Sequence, residues 1–330
     1  MDIRTIDVRH PGELAAWFAV YEAADQFDMP GGPWWLEREL RVRHESTDFR
    51  DVTLWLAEDA GRAVGAGVAA LPLKDNPRLA DVEVFVRPDM RRRGIGSALL
   101  RELAEHAMAQ RRTSLLTAIS GEREGEPTPG IVFAEAHGFT RRMTEARRVQ
   151  RPPFQLARLA ELEAEAMPRA EDYRLVEWRG QVPDDWVAEY ARLAGRMSTD
   201  APLEDLEYEP EVWDTERVRD AEARRARMGR DWWCTVAVAP DGTLAGMTDI
   251  SLAVDNDRSA LQGDTIVDTL HRGHRLGLLL KIRNLRALLT DRPGVRAIWT
   301  WNAASNRFMI AVNEQLGYVR AGWGAMYQRD

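Results

Sequence analysis

Two hydrophobic rhythms alternate along the chain. Ile3, Ile6 and Val8 predict a first strand over 2–9. Leu14, Trp17, Phe18 and Tyr21, spaced i, i+3, i+4, i+7, predict a helix over 13–26. Pro30-Gly31-Gly32-Pro33 ends it, and a second helix is expected over 34–42. Two strands, 52–57 and 63–71, flank the turn Glu58-Asp59-Ala60-Gly61. The stretch 81–97, DVEVFVRPDMRRRGIGS, reads as a strand carrying Val82, Val84 and Val86, a turn at Pro88-Asp89, three arginines, then Gly94-Ile95-Gly96 opening a helix that runs to 109. A buried strand over 114–119, a loop over 121–130, a short helix ending at His137-Gly138-Phe139 and a strand over 147–150 complete the set.

Arg151-Pro152-Pro153 closes that set, and 154–166 reads as a linking helix. The pattern then begins again. Residues 174–176 repeat the first strand, 186–197 the first helix, and 234–239 with 244–250 the strand pair, around Pro240-Asp241-Gly242. Gly65 and Gly246, Glu83 and Asp264, Val86 and Val267, Arg91 and Arg272, and Gly96 and Gly277 all stand 181 positions apart; Gly138 and Gly317 differ by 179. Two unrelated domains would not hold that register. Two copies of one mixed α/β domain are therefore expected, 1–150 and 173–330, joined by 151–172.

A strand, a glycine-containing loop and a helix start make a site for phosphate, because the first amides of a helix lack helical acceptors and the dipole is positive there. Gly94 and Gly96 let an anion approach the main chain. Composition narrows the partners. Hydrophobic residues at 45% and charged residues at 30% fit a soluble globular protein, and the net charge of −8 argues against a nucleic-acid or anionic-membrane binder. Lys74 and Lys281 are the only lysines, so 43 of the 45 basic residues are arginine, which fits a GC-rich coding sequence. One cysteine, Cys234, allows no intrachain disulfide. With no signal-like or 18-residue apolar run, a cytoplasmic protein is expected.

The repeated unit, with Arg91-x-x-Gly94-x-Gly96 after its fourth strand, resembles the GNAT superfamily of acyl-CoA-dependent N-acetyltransferases. Thr265–Gly277 followed by Lys281, and Thr300-Trp301-Asn302 through Asn306, Met309, Asn313-Glu314 and Leu316-Gly317-Tyr318, are similar to the form common in bacterial members. The resemblance covers nearly the whole chain as a tandem pair, an arrangement known among actinobacterial acetyltransferases. It implies two GNAT-like α/β (α+β) domains, each a mixed, mostly antiparallel sheet flanked by helices, with strands four and five splayed apart. The cofactor implied is acetyl-CoA. Its pantetheine would lie beside Val84, Phe85 and Val86 in the first copy, and beside Thr265, Ile266 and Val267 in the second. The pyrophosphate would sit on amides of Arg92, Arg93, Gly94, Ile95, Gly96 and Ser97, or of Gly273, His274, Arg275, Leu276 and Gly277, with the Arg91 and Arg272 side chains assisting. Asn306 joins the implied cofactor site. Arg275 stands where the first glycine is expected, and Pro127 where the first copy would match Asn306.

Acetyl transfer needs a deprotonated amine in line with the thioester and a proton for the leaving thiolate. The resemblance implies a fourth-strand carboxylate as base, hence Glu83 and Asp264, although alternation puts Glu83 opposite Val82, Val84 and Val86. The usual thiolate acid, a tyrosine four residues before the Gly-aromatic pair, is Ala134 in one copy and Asn313 in the other. Six acidic residues and no basic ones between Asp200 and Glu211 would draw a protonated amine. No metal-ligand spacing appears among the histidines. Two readings stay open: direct transfer to a small-molecule amine, with one or both copies active, or a non-catalytic acyl-CoA-binding sensor. A monomer or a homodimer fits either.

Overall fold

The computed structural model describes residues 1–330, which divide into two units, each with its own cores. The first unit comprises Met1–Thr144, Leu203–Glu209 and Gly322–Asp330; the second comprises Glu145–Pro202 and Pro210–Ala321. The division differs from contiguous halves parted at 150 and 173.

In the first unit the chain runs β1 (Asp2–Ile6), α1 (Pro11–Asp28), α2 (Glu37–Arg43), β2 (Arg50–Asp59), β3 (Arg62–Pro72), β4 (Leu79–Val86), α3 (Ile95–Ala109), β5 (Ser114–Gly121) and α4 (Pro129–Ala136). The antiparallel ladder β1-β2-β3-β4 continues into β5, which is parallel to β4 over three rungs only, Leu79↔Ser114 to Asp81↔Leu116. Beyond Asp81 the two strands splay. Alternation sorts the faces: Val82 packs with Leu99, Leu100 and Leu103 of α3, whereas Phe85 packs against Trp17 of α1. The position after β5 is filled by the chain terminus, where Trp323–Arg329 pair antiparallel with Gly121–Leu115.

The second unit repeats this plan. After β6 (Thr140–Gln150) come α5 (Leu156–Ala166), β7 (Arg174–Arg179), α6 (Val187–Asp200), α7 (Thr215–Arg227), β8 (Arg230–Val238), β9 (Leu244–Ala253), β10 (Ala260–Val267), α8 (Leu276–Asp291), β11 (Ile298–Ala303), α9 (Arg307–Gln315) and β12 (Val319–Arg329). The ladder runs β7-β8-β9-β10, and β10 meets β11 in parallel at two rungs, Ala260↔Ile298 and Leu261↔Trp299, before splaying. The strand expected over 147–150 to complete the first copy belongs to β6, whose residues 145–150 pair instead with β11. The acidic stretch before α7 is not helical. No helix is long and apolar enough to cross a membrane.

Candidate functional site

In the first unit the splay opens into a cavity of about 480 Å³. Val84, Phe85, Val86, Arg91, Arg92, Gly94, Ile95, Gly96 and Ser97 all line it; Arg93 and Glu83 do not. Gly94 caps α3 at φ +81°, a left-handed conformation that glycine adopts without Cβ strain. The first helical bond of α3 runs from Ala98 N–H to the Gly94 carbonyl at 3.0 Å, so Ile95, Gly96 and Ser97 keep amides without helical acceptors. These features suit a pyrophosphate. The remaining wall comes from residues the sequence did not single out: Ala24 and Asp28 of α1, Met90, and the face of α4 that presents Phe133, Ala136 and His137. His137 Nε2 lies 3.0 Å from Ser97 Oγ, joining the two walls.

The loop arginine has a different task from the one expected. Arg91 donates from Nε to the Val86 carbonyl at 3.2 Å and forms a fork with Asp28 at 2.8 and 2.7 Å. In the second unit Arg272 donates to the Val267 carbonyl at 3.3 Å and to Asp200 at 3.0 Å. Both guanidinium groups tie the strand end to the end of the unit's first long helix. Asp28 and Asp200 were invisible as partners because the helix-to-strand spacing differs between copies.

The second unit's loop keeps the same backbone. Arg275 takes the glycine position at φ +59° and caps α8, a conformation costing a non-glycine residue roughly 1–2 kcal/mol. Its side chain is exposed, and a Cβ on Gly277 would meet only Val267 Cγ2, at 3.8 Å. Leu278 and Leu279 both donate to the Arg275 carbonyl, leaving Leu276 and Gly277 without helical acceptors. His271 Nδ1 pairs with Tyr173 Oη at 3.0 Å and His274 Nδ1 with the Arg169 carbonyl at 2.9 Å, so both histidines brace the loop. Asp268, at its entry, is carried against the upward push of burial to about 2 by Arg192, the Leu270 amide and Arg196.

The fourth strands diverge where chemistry is expected. The β3–β4 ladder runs without a shift from Gly65↔Val86 to Ala70↔Asp81, placing Glu83 opposite Val68. In the second unit the register breaks between Gln262↔Ile250 and Thr265↔Thr248, so Gly263 and Asp264 face the single residue Asp249. This is a β-bulge, a device that re-aims side chains. Asp249 Oδ1 accepts the Asp264 N–H at 3.0 Å, and Oδ2 accepts the Trp232 indole N–H at 3.0 Å. Asp264 is exposed to solvent, with protein packed around the base of its side chain. Burial there, then the neighbouring Asp249 and Glu211, push its carboxyl up to about 7 against the pull of Arg225.

Thr265 and Val267 face the α8 side; Thr265 Oγ1 lies 2.7 Å from Thr248 Oγ1, and Ile266 packs on the α6 side. Asn306 caps α9, its Oδ1 accepting the Met309 N–H at 3.1 Å. Asn313 is fully buried and donates from Nδ2 to Asn302 Oδ1 at 2.6 Å. Its Oδ1 is unpartnered. Lys281, on α8, is 2% exposed, with Nζ 5.5 Å from the centroid of the Tyr318 ring. Burial lowers its ammonium to about 7, with Asp249 opposing.

Residues 50–141 match the profile of the acetyltransferase (GNAT) domain. The chain is 30% identical over 302 residues to a mycothiol acetyltransferase of Thermomonospora curvata, covering 88% of this chain and 90% of that one. A mycothiol acetyltransferase of Salinispora arenicola is 26% identical over 327 residues, covering 97% and 94%. A tandem GNAT protein from the clavulanic acid biosynthesis pathway superposes with a TM-score of 0.79 at 27% identity, covering 99% of this chain and 97% of that one. A GCN5-related N-acetyltransferase from Sphaerobacter thermophilus shares the fold, with a TM-score of 0.67 at 17% identity.

Proposed function

Because the chain belongs to the GNAT acetyltransferases, we propose that it moves an acetyl group from acetyl-CoA directly to a small primary amine, with the chemistry in the second unit. The observation that carries this reading is the contrast between β10, bulged at Gly263-Asp264, and the regular β4. Acetyl-CoA, when bound, supplies an electrophilic thioester. The protein's residues supply the rest. Amides of Leu276 and Gly277, with the α8 dipole behind them, hold the pyrophosphate. Asp264 removes a proton from the incoming ammonium; a carboxylate poised near neutrality is matched to that task. Asp249, Asp264 and Glu211 surround the site with negative charge that favours a cationic acceptor. Asn313, buried and bonded to Asn302, donates no proton to the leaving sulfur.

The sensor reading finds its support in the first unit. That unit has a formed cradle and cavity, but Val52 and Val68 replace Trp232 and Asp249 in the aligned ladders, and no residue there matches the extra Gly263. We assign it acyl-CoA binding without turnover. Thiol release from acetyl-CoA with a panel of primary amines, including the amine substrate of mycothiol acetyltransferases, tests both assignments. Asp264→Asn is expected to cost about 10²-fold or more in kcat, while Glu83→Gln leaves kcat near wild type. The opposite pattern would move the chemistry to the first unit. Tight CoA binding with no thiol release for any amine would leave only the sensor.

A further inference from the structure

Asp249 is replaced by Val68 in the first unit, and the mechanism above gives it no task beyond its charge, yet both its oxygens are held. Both its oxygens accept N–H groups, from Asp264 and from Trp232. A Cβ built on Gly263 would come within 2.3 Å of Asp249 Oδ2 and 2.8 Å of Oδ1. A carboxylate that stays on both donors cannot give way to that Cβ, so aspartate seated this way at 249 requires glycine at 263. Together they occupy the place where the first unit pairs Val68 with Glu83 in a regular ladder. The consequence is an extra residue in β10 and a second carboxylate directly behind the Asp264 peptide.

We propose that Asp249 is a positioning residue for acetyl transfer: its carboxylate, seated in the space left by Gly263 and accepting the Asp264 and Trp232 N–H groups, builds the bulge that fixes where the Asp264 carboxyl stands to meet the amine. This rests on the reading of Asp264 as the base. The groups facing the Asp249–Asp264 pair are Trp232 and Cys234 from β8, Arg225 from α7, Glu211 from the segment before α7 and Tyr190 from α6, with Lys281 reaching Asp249 from α8. Burial raises both carboxyls. Asp249 is drawn back by two N–H donors and by Arg225 and Lys281, whereas Asp264 has only Arg225. Asp264 therefore takes up a proton more readily than Asp249, whose negative charge disfavours ionisation of its neighbour. In the forward step an ammonium N–H bond breaks and its proton passes to Asp264; the electron pair left on nitrogen forms the N–C bond to the acetyl carbon, the C–S bond breaks, and the CoA thiolate leaves with the second amine proton, carried through solvent.

The experiment follows the Asp264 carboxyl by carbon NMR in aspartate-labelled full-length protein, its signal identified by its loss in Asp264→Asn, and measures kcat in parallel. Wild type is expected to titrate near neutrality. Asp249→Asn keeps an acceptor for the Asp264 N–H and removes the charge, so the Asp264 titration should fall by about 1 unit or more. Gly263→Ala, which pushes the carboxylates apart, should lower both the titration point and kcat while acetyl-CoA affinity holds; it also decides the matter if Asp249→Asn does not fold. An unmoved Asp264 titration in either folded variant overturns the proposal even if Asp264→Asn is inactive. An active Asp264→Asn enzyme would instead remove the base reading and leave the titrations to judge the pairing.

Discussion

Replacing Lys281 with methionine should stabilise the second unit in a manner that depends on pH. The ammonium is 2% exposed, above the Tyr318 ring, and burial carries it from 10.5 in the open chain to about 7 when folded. The folded state therefore binds fewer protons than the unfolded state between those values, and stability rises with pH across that window. Below pH 7 both states are protonated and the whole penalty is present; above 10.5 both are neutral and it vanishes. A shift of about 3.5 units corresponds to about 5 kcal/mol at 1.36 kcal/mol per unit, and about half of that remains at pH 8.5. Methionine has a similar length and no charge, and the first unit already carries buried Leu100 at the aligned position. Urea unfolding of wild type and Lys281→Met, repeated from pH 6.5 to 10.5, should give a gain that is largest at the acidic end and decays to near zero. A gain independent of pH, or a loss at pH 7, would refute the argument, because either would mean that the folded protein holds Lys281 as a satisfied cation.

Other perturbations read other parts of the molecule. Gly246→Ala puts a Cβ 2.8 Å from the Ile266 carbonyl oxygen and should cost about 1–3 kcal/mol in thermal or urea unfolding. Its counterpart Gly65→Ala meets only side-chain ends, Ile95 Cγ2 at 2.7 Å and Leu99 Cδ1 at 2.8 Å, and should cost less. Gly94→Glu and Gly277→Glu, measured separately by isothermal titration, should each remove one CoA from the binding stoichiometry; full stoichiometry in both would exclude the cradles. Asp268, held near 2 against an open-chain 3.8, contributes stability present above pH 4 and lost as pH falls towards 2, so Asp268→Asn should flatten the acid limb of the unfolding curve.

Strand and helix positions were legible because each is written locally, as an apolar period and its breakers. The strand, loop and helix start around Gly94 emerged from the sequence with nearly all its cavity-lining residues. Pairing was not legible. Nothing in Arg147–Gln150 tells that it runs beside β11, because alternation specifies a face and leaves the neighbour open. The arginines looked like phosphate ligands because their carboxylate partners lie 63 and 72 residues upstream. Glu83 and Asp264 looked equivalent by number; the bulge that separates them depends on Asp249, 15 residues before Asp264 and on another strand. A glycine inside a strand pattern was the available signal at 263.

The terminal pairing of Trp323–Arg329 with β5 bears on how the protein is made. The first unit also buries Trp323, Ala325 and Tyr327 in the core that holds Leu99 and Leu103. A chain emerging from the ribosome has β1 to β5 available early but must keep one sheet margin uncovered until the last residues appear. Synthesis at 5–20 residues per second makes that wait roughly ten to forty seconds for the remaining two hundred residues. The first unit cannot complete its sheet before residues 323–329 are made, so a stop codon between β11 and β12 would damage it.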